Sequence, residues 1–202
     1  MSGTIVNPVL ETIFARRSIR LFSDQPVAAE QIEMILEAAN QAPSAHNQQS
    51  WKFVVIRGEK KSGLARLVSA KAADFPKPSA SILRMAGRSI AGAPVVVAVV
   101  NTGTLIEHGG ELFKLENEIS TDFFRTMEIQ SSAAAVENLL LAATSLGLGS
   151  VWLGILFLIK REVLEFLGEA QGEFMAVIPI GHPARDGKPP QKQALEYVVK
   201  YL

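Results

Sequence analysis

The sequence has no cysteine among its 202 residues. Disulfides, thiolate nucleophiles and cysteine-ligated zinc or iron–sulfur sites are therefore excluded. The absence of disulfides is compatible with the cytoplasm, where thiols stay reduced. The N-terminus also lacks the basic-then-apolar pattern of a secretory signal peptide. We therefore expect a cytoplasmic protein.

An excess of charge of either sign is also missing, because 20 Lys and Arg residues balance 20 Asp and Glu residues. A net charge of zero argues against a dedicated nucleic-acid-binding protein or a polybasic membrane-binding protein. Polar residues such as Glu137 and Asn138 interrupt the longest apolar runs, so no segment is predicted to span a membrane. We expect neither nucleic acid nor membrane as a partner.

Several catalytic patterns are absent as well. The histidines His46, His108 and His182 lack the spacing of metal ligands, so we predict no metal site. They are better interpreted as surface, turn or substrate-facing residues. No G-x-S-x-G sequence is present, which makes Ser44 and Ser50 poor candidates for a nucleophile.

The sequence does contain helical and strand patterns, which predict one α+β domain over residues 1–202. Helices are predicted from residue 8 towards residue 22 and over residues 29–41, 58–70, 128–146 and 160–168. Strands are predicted over residues 51–57, 94–100, 150–156 and 174–181. Residues 75–81 are predicted to form a loop, and residues 104–125 fit no single pattern.

Two segments point to a second subunit. The predicted helix 128–146 is apolar or small on nearly every face, which indicates burial in the core or against another chain. The tail 194–202 resembles a strand but follows a long Pro/Gly/Lys loop and has no obvious neighbour in its own subunit. It could pair with the edge of a partner's sheet, since an unpaired edge accepts a strand.

A cationic segment, "RRSIR", follows the first predicted helix at residues 16–20. These cations could satisfy the last helical carbonyls and the helix dipole. Alternatively, they form an anion site, because the planar guanidinium fork matches a phosphate and a serine adds a short hydrogen bond. The segment alone leaves both interpretations open.

A polar segment, "QAPSAHNQQSW", lies between a predicted helix and a predicted strand at residues 41–51. It could be a solvated turn. It could also recognise a flat heterocycle with several carbonyl and N–H edges, a task suited to side-chain amides. Further on, "LGLGSVWLG" is not a dinucleotide fingerprint, because a helix precedes it and a strand follows. Gly154 in that predicted strand indicates a bulge or close approach to a ligand.

Four segments taken in order resemble the FMN-dependent nitroreductase family over nearly the whole chain. They are "ARRSIRLFSDQPV", "ILEAANQAPSAHNQQSWKFVVI", "AAAVENLLLAATSLGLGSVWLGI" and "IPIGHPARDGKPPQK". The resemblance implies a homodimer with FMN at the subunit interface and NAD(P)H as electron donor. It also implies a mixed central sheet flanked by helices and a domain-swapped C-terminal strand.

The resemblance assigns roles to matching positions. Arg16, Ser18 and Lys192 would bind the FMN phosphate, with Arg17 adding a contact. Arg20 would lie near N1 and O2 of the ring, and a backbone N–H at Leu153 or Gly154 would point at N5. The partner subunit would line the flavin with the polar loop, namely Pro43, Ser44, Ala45, Asn47 and, in support, Gln49.

The sequence departs from the family at His46, which stands where a small residue is frequent, and at Ser50, which stands where proline is frequent. Residues 104–127 correspond to the variable region over the substrate channel. Their aromatic residues Phe113, Phe123 and Phe124 could face an aromatic acceptor, as could His46, or they could pack within a lid or interface.

The resemblance implies an NAD(P)H oxidoreductase that reduces nitroaromatic, quinone or related electrophilic acceptors by ping-pong hydride transfer through flavin N5. One alternative is a specialised enzyme on the same scaffold, such as a reductive dehalogenase, an enoate-type reductase or a flavin-fragmenting enzyme. A second alternative is a flavin-binding store or sensor without turnover.

Overall fold

The computed structural model describes residues 7–113, 117–185, 187 and 189–202. The helices in this part of the chain are α1 Pro8–Ala15, α2 Ala29–Asn40, α3 Gly58–Lys71, α4 Lys77–Gly92, α5 Thr104–Phe113, α6 Asn117–Ser145 and α7 Lys160–Leu167. The strands are β1 Trp51–Ile56, β2 Val95–Asn101, β3 Gly149–Ser150 and β4 Glu173–Gly181. The predicted α+β class is confirmed.

The sheet has the strand order β1-β2-β4-β3. All three strand pairings are antiparallel, whereas the resemblance implied a mixed sheet. Within the described residues, parallel pairing is limited to an isolated bridge between Ser18 and Ser150. The segment after α1 therefore runs alongside the short β3 as a parallel addition to the sheet edge.

Strand β2 is buried along its whole length and separates two hydrophobic cores. Successive side chains of a strand point to opposite faces. Val96, Ala98 and Val100 accordingly pack with α3, α4 and α7, while Val95, Val97 and Val99 pack with α2 and α6. A continuous apolar run is what a strand covered on both faces requires.

Helix α1 begins where its sequence predicts, but it ends before the cationic segment, whereas the prediction extends towards residue 22. The Asn7 side chain accepts hydrogen bonds from the N–H groups of Val9 and Leu10, and Pro8 occupies the first turn. The helix ends at Ala15, and Arg16 is extended. The apolar residues of α1 are exposed in the protomer, with Phe14 at 70% of its full accessibility.

Two predictions of local structure are wrong. Residues 77–81, predicted to belong to a loop, form the first turn of α4, where Pro78 is tolerated because the first N–H groups of a helix need no intrahelical partner. The strand predicted over 150–156 is limited to Ser150, and Gly154–Ile159 form a 3₁₀ helix. Gly154 therefore lies in a helical turn rather than in a bulged strand.

The other predicted helices and strands agree with the structure within a few residues, except that α6 begins at Asn117, well before residue 128. Pro189 onwards forms no strand within the protomer, and Leu195–Tyr197 form a 3₁₀ turn. Exchange of the tail with a partner stays a prediction. No helix in the described part of the chain is long and apolar enough to cross a membrane.

Candidate functional site

A cationic cleft of about 1190 Å³ opens beside the end of α1. It brings together the predicted residues Arg16, Arg17, Ser18, Arg20 and Lys192. Lys192 lies about 170 residues after the other four in the sequence, so the fold brings the two parts of the cleft together. The remaining lining residues are Ile13, Phe14, Ile19, Leu21, Glu137, Arg185, Gly187, Pro189 and Pro190.

Main-chain hydrogen bonds fix the cationic segment. The N–H of Ile19 donates to the carbonyl of Ser150 at 3.0 Å, and the N–H of Ala184 donates to the carbonyl of Leu21 at 3.1 Å. Gly149 permits the first contact, because a Cβ there would lie 2.7 Å from the Ile19 Cβ. The segment is thus held between β3 and the loop after β4.

The arginine and lysine side chains of the cleft have two different roles. Arg17 Nη1 donates to the carbonyls of Phe14 at 2.5 Å and Arg16 at 2.8 Å, so this side chain satisfies the end of α1. Arg16 makes a long ion pair with Glu137, with Nε and Oε1 3.8 Å apart. Among the described residues, Arg20 and Lys192 make no ion pair. Arg16, Arg20 and Lys192 therefore have donors to offer an anion.

The polar loop Pro43–Gln49 does not line the described part of this cleft. Its backbone is constrained, because His46, Asn47 and Gln49 have φ angles of 53°, 52° and 49°. Left-handed backbone at three non-glycine residues costs free energy and persists only where the surroundings enforce it. Such clusters are typical of ligand-binding sites.

Hydrogen bonds within the loop enforce this conformation. The Ser44 hydroxyl accepts from the N–H of Gln49 at 3.0 Å, and Gln49 Nε2 donates to Asn47 Oδ1 at 3.2 Å. The N–H of Ala45 donates to the Ser131 hydroxyl of α6 at 3.1 Å. The loop is therefore ordered, and it exposes the side chains of Pro43, His46, Asn47 and Gln49.

The four candidate substrate-facing residues form one aromatic row. The ring centroids of His46 and Phe113 are 5.5 Å apart, those of Phe113 and Phe124 5.5 Å, and those of Phe123 and Phe124 5.0 Å. Phe124 is fully buried against Gly109 of α5, where a Cβ would clash with its ring. Phe113 and Phe123 remain about half exposed. Packing accounts for Phe124, whereas Phe113 and Phe123, on either side of it in the row, present exposed ring surface.

Leu153 and Gly154 differ in what their backbones can offer. The N–H of Leu153 donates to the carbonyl of Val177 at 3.0 Å, and its side chain is buried. Gly154 is exposed, and a Cβ there would meet nothing within 4 Å. Of these two residues, Gly154 is the one whose backbone a ligand can reach.

Sequence reasoning missed Arg185 in the cleft and Glu128 beneath the polar loop. Arg185 lies in a Pro/Gly/Lys loop without a regular pattern, so only tertiary structure places it. Glu128 could have been found from helical periodicity, because it shares the buried stripe of α6 with Phe124, Ala135 and Leu139. Burial raises the pKa of its carboxyl, and the N–H of Leu105 partly opposes this shift by donating a hydrogen bond.

The fold is of the α+β class, and its cleft gathers arginine and lysine side chains around one described carboxylate. Residues 13–182 match the sequence profile of the Nitroreductase family, and the chain belongs to this family.

Known relatives agree with this assignment. A protein of Archaeoglobus fulgidus with the provisional name NADH dehydrogenase/NAD(P)H nitroreductase is 32% identical over 179 residues, covering 86% of this chain and 84% of that protein. The FMN reductase (NAD(P)H) of Bacillus subtilis is 28% identical over 206 residues, covering 98% of this chain and 76% of that protein. A structure from Desulfovibrio desulfuricans, solved in complex with FMN, is 32% identical and matches 98% of each chain with a TM-score of 0.70.

Proposed function

We propose that this chain is an FMN-dependent NAD(P)H oxidoreductase that reduces nitroaromatic, quinone or related electrophilic acceptors in a ping-pong reaction. The observation that carries the proposal is the cationic cleft, where Arg16, Ser18, Arg20 and Lys192 converge with a single described carboxylate, Glu137. Relatives named for FMN, NAD(P)H and nitroreduction support it.

The residues of the cleft fit the phosphate end of FMN. A phosphate dianion requires cations and hydroxyl donors, and guanidinium groups bind it through two parallel hydrogen bonds. Arg16, Ser18 and Lys192 would hold the phosphate, while Arg17 stabilises the turn that presents them. Arg20 would place a positive charge beside the ring, which favours the reduced and more negative form of the flavin.

The ordered loop fits the ring end of FMN. Asn47 and Gln49 expose amide groups on a backbone that cannot easily rearrange, as recognition of a flat heterocycle requires. Because this loop does not line the described cleft of its own chain, we propose that each flavin is bound by the cleft of one protomer and the loop of its partner.

A homodimer would also cover apolar surface that the protomer exposes. In α1, Val9 and Phe14 are 63% and 70% accessible, and in the tail Leu195 and Tyr197 are 75% and 77% accessible. Exposed apolar residues concentrated in two segments are typical of an interface. The tail would cross to the partner, as the sequence predicts.

FMN would supply the hydride chemistry, and the chain's own residues would bind it, orient it and admit the two substrates in turn. Arg16 and Lys192 would fix one end of the cofactor, and Gly154 would leave its backbone accessible at the other. His46, Phe113 and Phe123 would offer aromatic surface to an aromatic acceptor. No acid–base side chain is assigned, because solvent can supply the proton.

The proposal is tested first by the absorbance spectrum of the purified protein, before and after addition of NADH or NADPH without oxygen. Flavin bands that bleach, and return when a quinone is added, are the expected result. Bands that persist with both donors would indicate a store or sensor. A protein that shows no flavin bands even after addition of FMN would contradict the proposal.

A further inference from the structure

One turn of α6 lies beneath the polar loop and carries a buried carboxyl group. Glu128 is 1% accessible, and the neighbouring Ser131 and Ser132 are also buried. The Ser132 hydroxyl donates to Asn101 Oδ1 at the end of β2 at 2.5 Å. A buried acidic residue carries a desolvation cost, so it calls for a physical role.

This turn contacts both elements that border the proposed acceptor site. Glu128 Oε1 accepts a hydrogen bond from the N–H of Leu105, in the first turn of α5, at 2.9 Å. Three residues later, the Ser131 hydroxyl accepts from the N–H of Ala45 in the polar loop at 3.1 Å and donates to the carbonyl of Met127 at 2.7 Å. The loop and α5 are thus attached to the same turn.

Helix α5 connects its first turn, which Glu128 holds, to the aromatic row. Leu105 is buried at its start, and Gly109 packs against the Phe124 ring near its middle. Phe113 at its end lies edge-on to His46 of the polar loop. Since an α-helix is a rigid connector over ten residues, the hydrogen bond at Leu105 helps to set where Phe113 meets His46.

The Glu128 carboxyl group also lies near the base of the loop. Ser50, which ends the loop, lies close enough to influence the Glu128 carboxyl, yet neither Ser50 Oγ nor Glu128 Oε2 has a hydrogen-bond partner among the described residues. The charged group that also acts on Glu128 is Glu173 of β4, which is itself paired with Arg125. Among the described residues, the hydrogen bond from the N–H of Leu105 is therefore the one that holds the Glu128 carboxyl.

We propose that Glu128 is a positioning residue for the electron acceptor: by holding the first turn of α5 it sets the contact between Phe113 and His46 and hence the acceptor affinity. This inference rests on the proposed function. It assigns no contact between Glu128 and the flavin or the acceptor. It predicts that the length of the side chain matters and that its charge does not.

Two substitutions separate length from charge. Glu128→Gln keeps the length and an oxygen that accepts from Leu105, whereas Glu128→Asp keeps the charge but is one methylene too short. For the FMN-loaded enzyme with 2-methyl-1,4-naphthoquinone, we expect Glu128→Asp to raise KM about ten-fold, matching the loss of one buried hydrogen bond. The rate of flavin reduction by NAD(P)H and the FMN content should stay within about two-fold. Glu128→Gln should leave KM within the same range.

A second measurement does not depend on turnover. Hydrogen exchange of a peptide covering residues 104–113 should be faster in Glu128→Asp than in the wild type and unchanged in Glu128→Gln. Glu162→Gln, which removes a surface carboxylate bonded to Lys71 at 3.0 Å on the other side of the sheet, is the control and should change neither readout.

The reverse order of effects, with Gln impaired and Asp normal, would overturn the inference, because charge rather than length would then be required. Unchanged exchange and KM in Glu128→Asp would overturn it as well. A wild type that NAD(P)H does not reduce would contradict the proposed function instead, and the exchange experiment would still decide whether Glu128 holds α5.

Discussion

The cationic cleft and the polar loop Pro43–Gln49 are both polar and both open to solvent, but they are built differently. The cleft carries long side chains on an extended segment of ordinary backbone, fixed by hydrogen bonds such as Ile19 to Ser150. The loop carries short amides on left-handed backbone, fixed by Ser44 and Ser131. Charge acts over distance and tolerates side-chain motion, whereas amide recognition requires donors and acceptors at set positions.

This difference explains why the two regions can serve opposite ends of one ligand. A phosphate is recognised mainly by the number of cations around it, and flexible arginines and lysines suffice. A flat heterocycle is recognised by the pattern of its edges, which requires a stiff backbone behind each amide. The predictions below follow from this contrast and from what holds each region in place.

The largest effect is expected in the cleft from the double substitution Arg16→Ala with Lys192→Ala. Each removes a charge-assisted contact of about 1.5–3 kcal/mol. The dissociation constant for FMN should therefore rise by at least about 100-fold, as measured by fluorescence quenching during titration of the apo-protein. Arg17→Ala is the matched control: its guanidinium is bonded to the carbonyls of Phe14 and Arg16, so it should weaken FMN binding less. Equal losses would contradict the division of roles among the cations.

The second-largest effect is expected where the cationic segment packs against β3 at Gly149. Gly149→Ala would place a Cβ 2.7 Å from that of Ile19, so the segment has to move away from β3. Overpacking of this kind costs about 1–3 kcal/mol of unfolding free energy, measurable by urea denaturation, and should also weaken FMN binding. Gly154→Ala is the control for stability, because a Cβ there meets nothing within 4 Å. If both substitutions destabilise equally, close approach at Gly149 is not what fixes the segment.

The sequence predicts the residues of both regions better than their arrangement. The sequence predicts α2 because it has one apolar face, and the second half of α6 because it is apolar or small on nearly every face. It misses α4, since Pro76 and Pro78 resemble loop residues although proline is well tolerated in a first helical turn. It extends β3 too far, because the buried Val151, Leu153 and Leu156 resemble strand residues although the chain leaves the strand after Ser150 and turns into a 3₁₀ helix.

The candidate site shows the same limit. The motifs identify Arg16, Lys192 and the polar loop, but Arg185 joins the cleft only through folding. The left-handed backbone at His46, Asn47 and Gln49 is not visible in the sequence, because these residue types favour other conformations in isolation. Two hydrogen bonds impose it: the Ser44 hydroxyl accepts from the N–H of Gln49 within the loop, and the distant Ser131 hydroxyl accepts from the N–H of Ala45.

A smaller effect, which depends on pH, is expected on the unfolding free energy when Glu128 beneath the loop is replaced. Burial raises the pKa of Glu128 above its ordinary value of 4.5. Between 4.5 and the raised pKa the folded protein keeps a proton that the unfolded chain has released, so the unfolding free energy falls as pH rises through this window. Glu128→Gln cannot ionise and should remove that fall. Its stability relative to the wild type should thus increase from pH 4 to pH 8.

Urea denaturation at several pH values checks this prediction, with Glu162→Gln as the control. Lys71 lowers the pKa of Glu162 through a hydrogen bond and its charge, so this carboxylate contributes stability above its unfolded pKa that is lost as pH falls. As pH rises from 4 to 8, the stability relative to the wild type should therefore increase for Glu128→Gln and decrease for Glu162→Gln. Parallel pH curves for Glu128→Gln and the wild type would show that burial does not hold the proton.

The smallest effect on FMN binding is expected from Asn47→Ala, and this variant also serves to test whether the cleft of one chain and the loop of another bind the same flavin. Asn47→Ala should weaken FMN binding by about 2–10-fold, as expected for one neutral hydrogen bond. It should not unfold the protein, because Asn47 is exposed and its Oδ1 accepts from Gln49 within the same loop. A heterodimer combines one chain carrying Asn47→Ala with one chain carrying Arg16→Ala and Lys192→Ala. Its two sites differ according to whether a site is shared between chains or built by one chain. If each flavin uses the cleft of one chain and the loop of the other, one site is intact and the other carries all three substitutions. Titration should show half of the sites at wild-type affinity, whereas two weakened sites and none at wild-type affinity would mean that each protomer builds its site alone.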